Sequence, residues 1–182
     1  FHEALQSVWF TQILNWCETP ITFAIGPGKV DQYLFPYYER DVREGRLTRE
    51  DAQELLDCWL MRFTQGVSPF IPQAGAAYHM DVGGLKKDGS DATNDLSFLF
   101  LEGMIHTRLV EPNFGVLVHS RTPDDFLRKA CQLCVLGTGH PMFISIISAC
   151  FSTILADSAK ILGSEPKSWI ATGLSKSVTK AR

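Results

Sequence analysis

The sequence lacks the features that mark several common classes of protein. None of its apolar runs reaches the roughly 18 residues that a transmembrane helix needs. Seventeen basic residues against twenty acidic ones leave a net charge of −3, and there is no basic stripe of the kind that binds nucleic acid. These absences predict a protein that binds neither a membrane nor nucleic acid.

Cysteine is scarce and odd in number. Five cysteines among 182 residues do not suggest a disulfide framework in a chain of this size, so we expect reduced thiols and a cytoplasmic protein. Cys131 and Cys134 form a C-x-x-C pair, but no second ligand pair follows, and we interpret them as two buried thiols. The histidines lack metal-ligand spacing, and the glycine-rich segment 83–89 lacks the spacing of a phosphate-binding loop. Among the histidines, His140 lies in a glycine-rich loop and is the best candidate for a functional role.

Composition is otherwise that of a globular domain, with 45% apolar and 20% charged residues. Short apolar segments at 21–25, 76–82 and 114–118 predict strands, and helical periodicity predicts helices at 1–16, 31–43, from 48 onward, at 91–108 and at 122–136. Strands that alternate with helices favour a parallel sheet with helices outside it. The predicted fold class is therefore α/β, with about three parallel strands, too few for a closed barrel.

Several helix starts carry recognisable capping residues. Thr48 with Asp51 predicts a capping box, Asp91 is the predicted cap of the next helix, and Thr122 before Pro123 is the predicted cap of the last one. The segment 88–95 has oxygen-bearing side chains at alternate positions, as a calcium loop does, but its glycine and distal glutamate are misplaced. We interpret it as a turn and a helix cap.

Six segments in order carry a family pattern: 1–10, 28–38, 41–54, 83–97, 111–113 and 137–141. The most specific of them is the segment from Gly83-Gly84 through Asp88 to Ser97, and Gly28-Lys29-Val30-Asp31-Gln32-Tyr33 is another. Together they cover residues 1 to about 144, and they resemble the glycyl radical enzymes of the pyruvate formate-lyase family.

The resemblance implies a segment of a ten-stranded α/β barrel made of two half-barrels. It implies a C-terminal glycyl radical that oxidises a cysteine, whose thiyl radical abstracts hydrogen from a small-molecule substrate. It also implies an activating enzyme with an iron–sulfur cluster and S-adenosylmethionine, and a homodimeric parent. We find neither the thiyl cysteine nor the radical glycine in this chain, so we expect the chain alone to bind no cofactor and to be inactive.

The strand segments suggest which residues line a pocket. Strand ends carry the sites of barrels, so we expect substrate-lining roles for Phe23, Ala24, Ile25, Ala77 and Tyr78. An apolar wall favours radical C–C bond formation or cleavage on an apolar or aryl substrate, as in fumarate-adding succinate synthases or arylacetate decarboxylases. A dehydratase-type lyase is the alternative within the family, and a non-catalytic gene fragment or accessory module is the alternative outside it.

Both ends of the chain look atypical. The predicted first helix begins at Phe1 without a capping residue, so we expect a piece of a longer protein. Residues 145–182 are rich in serine and lysine and match nothing in the family. We therefore predict two regions, 1–144 as the barrel segment and 145–182 as a frame-shifted or disordered tail.

Overall fold

Helices and strands alternate along the chain. The computed structural model describes residues 1–18, 26–65 and 78–146. The helices in these ranges are α1 (His2–Glu18), α2 (Val30–Arg43), α3 (Arg49–Gln65), α4 (Asp95–Thr107) and α5 (Asp124–Val135). The strands are β1 (Gly28–Lys29), β2 (His79–Gly83), β3 (Asn113–Val118) and β4 (Met142–Ser145). Within the described ranges, no helix has the length and apolar character to cross a membrane.

The described strands form one parallel sheet in the order β1-β2-β3-β4. Parallel neighbours need a crossover connection, and each crossover here contains at least one helix. This arrangement confirms the predicted α/β class with a parallel sheet and outer helices.

Two strands differ from the sequence-based expectation. β1 lies at Gly28–Lys29, between the predicted strand at 21–25 and the predicted helix from 31, and β4 lies at Met142–Ser145, where the boundary with the tail was expected. Both are short, so neither has enough alternating residues to reveal a strand by its pattern. The predicted strand at 21–25 lies outside the described residues.

The core lies between one face of the sheet and the helices. Alternate residues of β2 and β3 are fully buried in this layer: Met80, Val82, Phe114 and Val116. α3 and α4 supply the facing side chains, which are also fully buried: Leu56, Leu60, Phe63, Leu96, Leu99 and Phe100. Since burying each such side chain stabilises the fold by roughly 1.5–3 kcal/mol, this layer holds the helices to one side of the sheet.

The helix caps were predicted correctly in one case and wrongly in two. The Thr48 hydroxyl accepts the Asp51 N–H at 3.0 Å, as expected of a capping box. α4 is capped by Asn94 rather than by Asp91, because the Asn94 side chain accepts the Ser97 N–H. α5 has no side-chain cap.

The Thr122 hydroxyl, which was the expected cap of α5, instead accepts the N–H of His119 at 2.9 Å. This bond closes the turn that follows β3. The Thr122 hydroxyl therefore stabilises the turn after β3 and does not cap α5.

Candidate functional site

Of the five predicted pocket residues, only Tyr78 lies among the residues that the structure describes. Phe23, Ala24, Ile25 and Ala77 lie outside the described residues. Tyr78 is buried, and its ring contacts the ring of Phe63 on α3, with centroids 5.2 Å apart. Burial raises the pKa of Tyr78, and the negative charge of Glu111 adds to the effect. The structure thus places Tyr78 between the sheet and the helices, and its pocket-lining role stays a prediction.

Strand β2 presents different chemistry on its two faces. Successive side chains of a strand point to opposite faces, so Met80 and Val82 face the helices. His79 and Asp81 occupy the opposite face, which we call the inner face because the helices do not cover it. These two residues were missed by the sequence analysis, although a polar residue at every second position of an apolar strand was the available signal.

His79 and Asp81 form a hydrogen-bonded pair. The Nε2 atom of His79 lies 2.8 Å from the Oδ1 atom of Asp81, which accepts the hydrogen bond. The side chains are 34% and 18% exposed, respectively. A carboxylate bound to one ring nitrogen fixes the orientation of the imidazole and leaves the other ring nitrogen for a further partner. With Nε2–H donated to Asp81, the pair presents acceptors on the inner face: the Nδ1 atom of His79 and the remaining lone pairs of the Asp81 carboxylate.

Gly115 provides the space for this pair. It is the register neighbour of Asp81 on β3. A Cβ atom at position 115 would lie 2.2 Å from Asp81 Oδ1 and 3.1 Å from the Cδ1 atom of Ile144. Contacts this short do not occur, so a side chain at position 115 would displace the Asp81 carboxylate.

The inner face becomes apolar beyond the His79–Asp81 pair. The register puts Leu117 of β3 beside Ile144 of β4. A Cβ atom at Gly84 would lie 3.1 Å from side-chain atoms of both Leu117 and Ile146, so these two side chains converge on the end of β2. The described part of the inner face therefore combines the His79–Asp81 pair, with Asn113 as the register neighbour of His79, and an aliphatic wall.

Asp31 fixes the end of β2 against the start of α2. Its carboxylate accepts the N–H of Gly83 at 2.7 Å and the hydroxyl hydrogen of Ser97. Asp31 is fully buried, and this desolvation raises its pKa to about 6, while the two hydrogen bonds act in the opposite direction. Because Gly83 is the last residue of β2, this contact sets the position of the strand end that borders the inner face.

The segment 88–95 is a turn and a helix cap, as predicted. Asp88 accepts hydrogen bonds from the N–H and hydroxyl of Ser90, at 2.9 and 2.6 Å. The Nε2 atom of buried His119 lies 2.9 Å from Asp91 Oδ1. These contacts join the segment to the turn after β3 and give it a structural role.

The remaining candidates from the sequence do not form a site. His140 is buried, accepts the N–H of Phe114 at 3.4 Å and lies 2.8 Å from the carbonyl oxygen of Val110, so both its nitrogens hold the backbone. Cys131 and Cys134 are exposed rather than buried as predicted, and partial desolvation raises the pKa of both thiols. Within residues 1–18, 26–65 and 78–146, no three His, Cys, Asp or Glu side chains are placed to hold a metal ion.

Comparison with protein families and curated proteins gives consistent results. The family model described as pyruvate formate lyase-like matches residues 1–148. The chain is 36% identical over 153 residues to isethionate sulfite-lyase of Nitratidesulfovibrio vulgaris, covering 80% of this chain and 18% of that protein. It is 36% identical to trans-4-hydroxy-L-proline dehydratase of Clostridioides difficile, covering 79% and 19%. The glycyl radical subunit of 4-hydroxyphenylacetate decarboxylase from C. difficile is 32% identical, with coverage of 80% and 17%.

Solved structures show the same likeness. A structure described as 1,2-propanediol dehydration in Roseburia inulinivorans matches with a TM-score of 0.72 and 35% identity, covering 79% of this chain and 19% of that chain. A glycyl radical enzyme from Archaeoglobus fulgidus matches with a TM-score of 0.70 and 29% identity, with the same coverage. The chain thus spans about a fifth of the length of these relatives. The predicted fold class, part of a glycyl radical enzyme barrel, is confirmed.

Proposed function

Because this chain belongs to the pyruvate formate lyase-like family of glycyl radical enzymes, we propose that it is one segment of the barrel of a glycyl radical lyase. The observation that carries this proposal is the four-stranded parallel sheet with helices on one face and a polar pair on the other. In an α/β barrel the face away from the helices lines the interior. The segment would therefore supply part of the wall around the substrate.

The radical chemistry belongs to the whole enzyme. The family membership supports a glycyl radical that is installed by an activating enzyme, and we propose that this partner carries an iron–sulfur cluster and S-adenosylmethionine. We further propose a cytoplasmic, homodimeric parent with a small-molecule substrate. The residues of this chain would bind and orient that substrate and exclude water from it, while the thiyl cysteine and the radical glycine would come from other segments.

A lyase that acts on a hydroxylated or otherwise polar substrate is the best-supported reaction class. His79 and Asp81 give the inner face a hydrogen-bonding pair, and buried polar groups of a pocket need polar partners on the substrate. The similarity to a sulfite-lyase and to a hydroxyproline dehydratase supports the same class. The dehydratase-type alternative is therefore favoured over the expectation of an apolar substrate.

An aryl substrate remains the second candidate. Leu117 and Ile144 supply an aliphatic wall beside the polar pair, and the similarity to a 4-hydroxyphenylacetate decarboxylase subunit supports radical C–C cleavage. Under this proposal Phe23, Ala24, Ile25 and Ala77 would line the pocket, and Tyr78, whose ring packs on Phe63, would support its wall from the helix side.

The test compares the full-length protein containing this chain with the 182-residue chain alone. Each is treated anoxically with an activating enzyme, and the organic radical is measured by electron paramagnetic resonance. We expect a glycyl radical signal in the full-length protein and none in the isolated chain, with a sample lacking the activating enzyme as the control. No signal from the full-length protein would contradict the proposed function and favour a non-catalytic fragment or accessory module.

Product analysis then separates the two reaction classes. Activated enzyme is incubated with isethionate, trans-4-hydroxy-L-proline or 4-hydroxyphenylacetate. Release of sulfite or loss of water supports the polar lyase, whereas release of carbon dioxide supports the aryl decarboxylase.

A further inference from the structure

We propose that His79 and Asp81 form a specificity-determining pair that binds a hydroxyl group of the substrate. This inference rests on the proposed function, because it takes the inner face to be the barrel interior. It adds two named residues and a ligand group to that proposal. Gly115 and the aliphatic wall of Leu117 and Ile144 complete the site.

The His79–Asp81 pair has no structural task among the described residues, unlike the two buried histidines, His119 and His140. His119 uses both nitrogens within the chain, one on Asp91 and one on a backbone N–H, and His140 uses both on backbone groups. His79 bonds to Asp81 through Nε2, and its Nδ1 has no hydrogen-bond partner among the described residues. Since the two bonded residues lie on the same strand, their contact joins no two elements of the fold.

Gly115 leaves room for the side chains of the His79–Asp81 pair. A side chain at position 115 would overlap Asp81 Oδ1, so the absence of a side chain there leaves the space that the carboxylate occupies. An alanine there would fill the position and move the carboxylate. Glycine at this point in a strand interior is otherwise unfavourable, which agrees with a requirement for room beside Asp81.

A hydroxyl group matches the pair better than other common substrate groups. It can donate its hydrogen to a lone pair of the Asp81 carboxylate or to the Nδ1 atom of His79, the ring nitrogen that the bond to Asp81 leaves as an acceptor. A carboxylate or sulfonate would be repelled by Asp81, and an aliphatic group would supply no hydrogen for the Nδ1 atom of His79 or for the remaining lone pairs of Asp81. Leu117 and Ile144 would then contact the carbon skeleton next to the hydroxyl group.

The test uses pairs of probes that differ by one hydroxyl group. The pairs are isethionate and ethanesulfonate, trans-4-hydroxy-L-proline and L-proline, 1,2-propanediol and 1-propanol, and 4-hydroxyphenylacetate and phenylacetate. Binding is measured by titration calorimetry on the unactivated full-length protein. We expect at least one hydroxylated probe to bind about tenfold more tightly than its partner, as expected of a hydrogen bond to a charged group.

Substitutions at His79 and Asp81 then test whether this pair causes the preference for the hydroxylated probe. In the double variant His79→Leu/Asp81→Leu, the preference for the hydroxylated probe is expected to disappear, while the affinity for the probe without the hydroxyl stays the same. If this variant fails to fold, His79→Gln/Asp81→Asn keeps polar side chains at both positions, removes the carboxylate and the imidazole, and is expected to weaken the preference.

The chain offers a matched control. His106 and Asp57 form a similar pair, with 2.9 Å between Nδ1 and Oδ2, on the helix layer. The variant His106→Gln/Asp57→Asn is expected to retain the full preference.

Two outcomes would overturn the inference: a preference that survives in the His79/Asp81 variants, or no preference for any hydroxylated probe in the parent protein. The radical signal is measured in the same proteins. A normal radical signal together with either outcome would refute the role of the pair and leave the proposed function intact. Absence of the radical in the unsubstituted protein would refute the proposed function itself.

Discussion

Replacement of Gly115 by alanine is the most direct test of the geometry on the inner face. The new Cβ atom would lie 2.2 Å from Asp81 Oδ1, 3.1 Å from Ile144 Cδ1 and 3.4 Å from His79 Cε1. To reach an acceptable contact, the carboxylate oxygen must move by roughly 0.8 Å, which strains or breaks its 2.8 Å hydrogen bond with His79.

Two opposing effects determine how much Gly115→Ala changes the free energy of unfolding. Overpacking of this kind destabilises a protein by about 1–3 kcal/mol. Alanine in a strand interior recovers about 0.5–1 kcal/mol relative to glycine, since it loses less conformational entropy on folding. We therefore expect Gly115→Ala to lower the free energy of unfolding by about 1–2 kcal/mol.

A double-mutant cycle tests whether the loss of stability comes from the contact between the new methyl group and Asp81. Asp81→Ala removes the oxygen atom with which the new methyl group collides, so Gly115→Ala is expected to be neutral or stabilising in that background. The free energies of unfolding are measured on the full-length protein that contains this chain, by urea denaturation followed by circular dichroism. A coupling energy near zero between the two substitutions would refute the close approach of Gly115 to Asp81.

Other contacts of the chain lead to three further predictions. Asp31 has a pKa of about 6 in the folded chain, above its ordinary 3.8, so the folded state binds the proton more tightly. Stability should therefore fall by up to about 3 kcal/mol as pH rises from about 4 to above 6, and Asp31→Asn should remove that slope in urea titrations at several pH values. Asn94→Ala should lower the free energy of unfolding by about 1–2 kcal/mol because it removes the cap of α4. Asn94→Ser can still cap the helix and should lose little stability. Equal losses in both variants would argue against the capping role. The purified 182-residue chain should elute from a size-exclusion column as aggregates, because an open parallel sheet exposes strand edges and an apolar face; a monodisperse species with cooperative unfolding would instead support an autonomous module.

Local patterns were enough to predict most of the helices. Each helix depends on periodicity and first-turn residues within a few positions, as with Thr48 and Asp51, and these are visible in the chain itself. The parallel arrangement also followed, since strands separated by helices have few other ways to pair. The family resemblance rested on short segments of the same kind.

The errors occurred where a residue's partner is distant in the chain. Asp91 seemed a suitable helix cap, but its carboxylate pairs with His119, 28 residues further on, and Asn94 takes the cap. β4 is a strand because β3 offers it hydrogen-bond partners, and its own four residues show no distinct pattern. The site residues were missed for the same reason, because the side of a strand that faces a barrel interior depends on where the helices pack.

The sequence by itself determined the fold class, the order of the helices and the family, because these depend on local propensity and short patterns. Tertiary structure alone decided which side chains share the inner face. Gly115 lies beside Asp81 only through the parallel register of β2 and β3, and Leu117 meets Ile144 only through that of β3 and β4. A register between strands separated by a whole helix is set by the packing of that helix on the sheet, which no local pattern encodes.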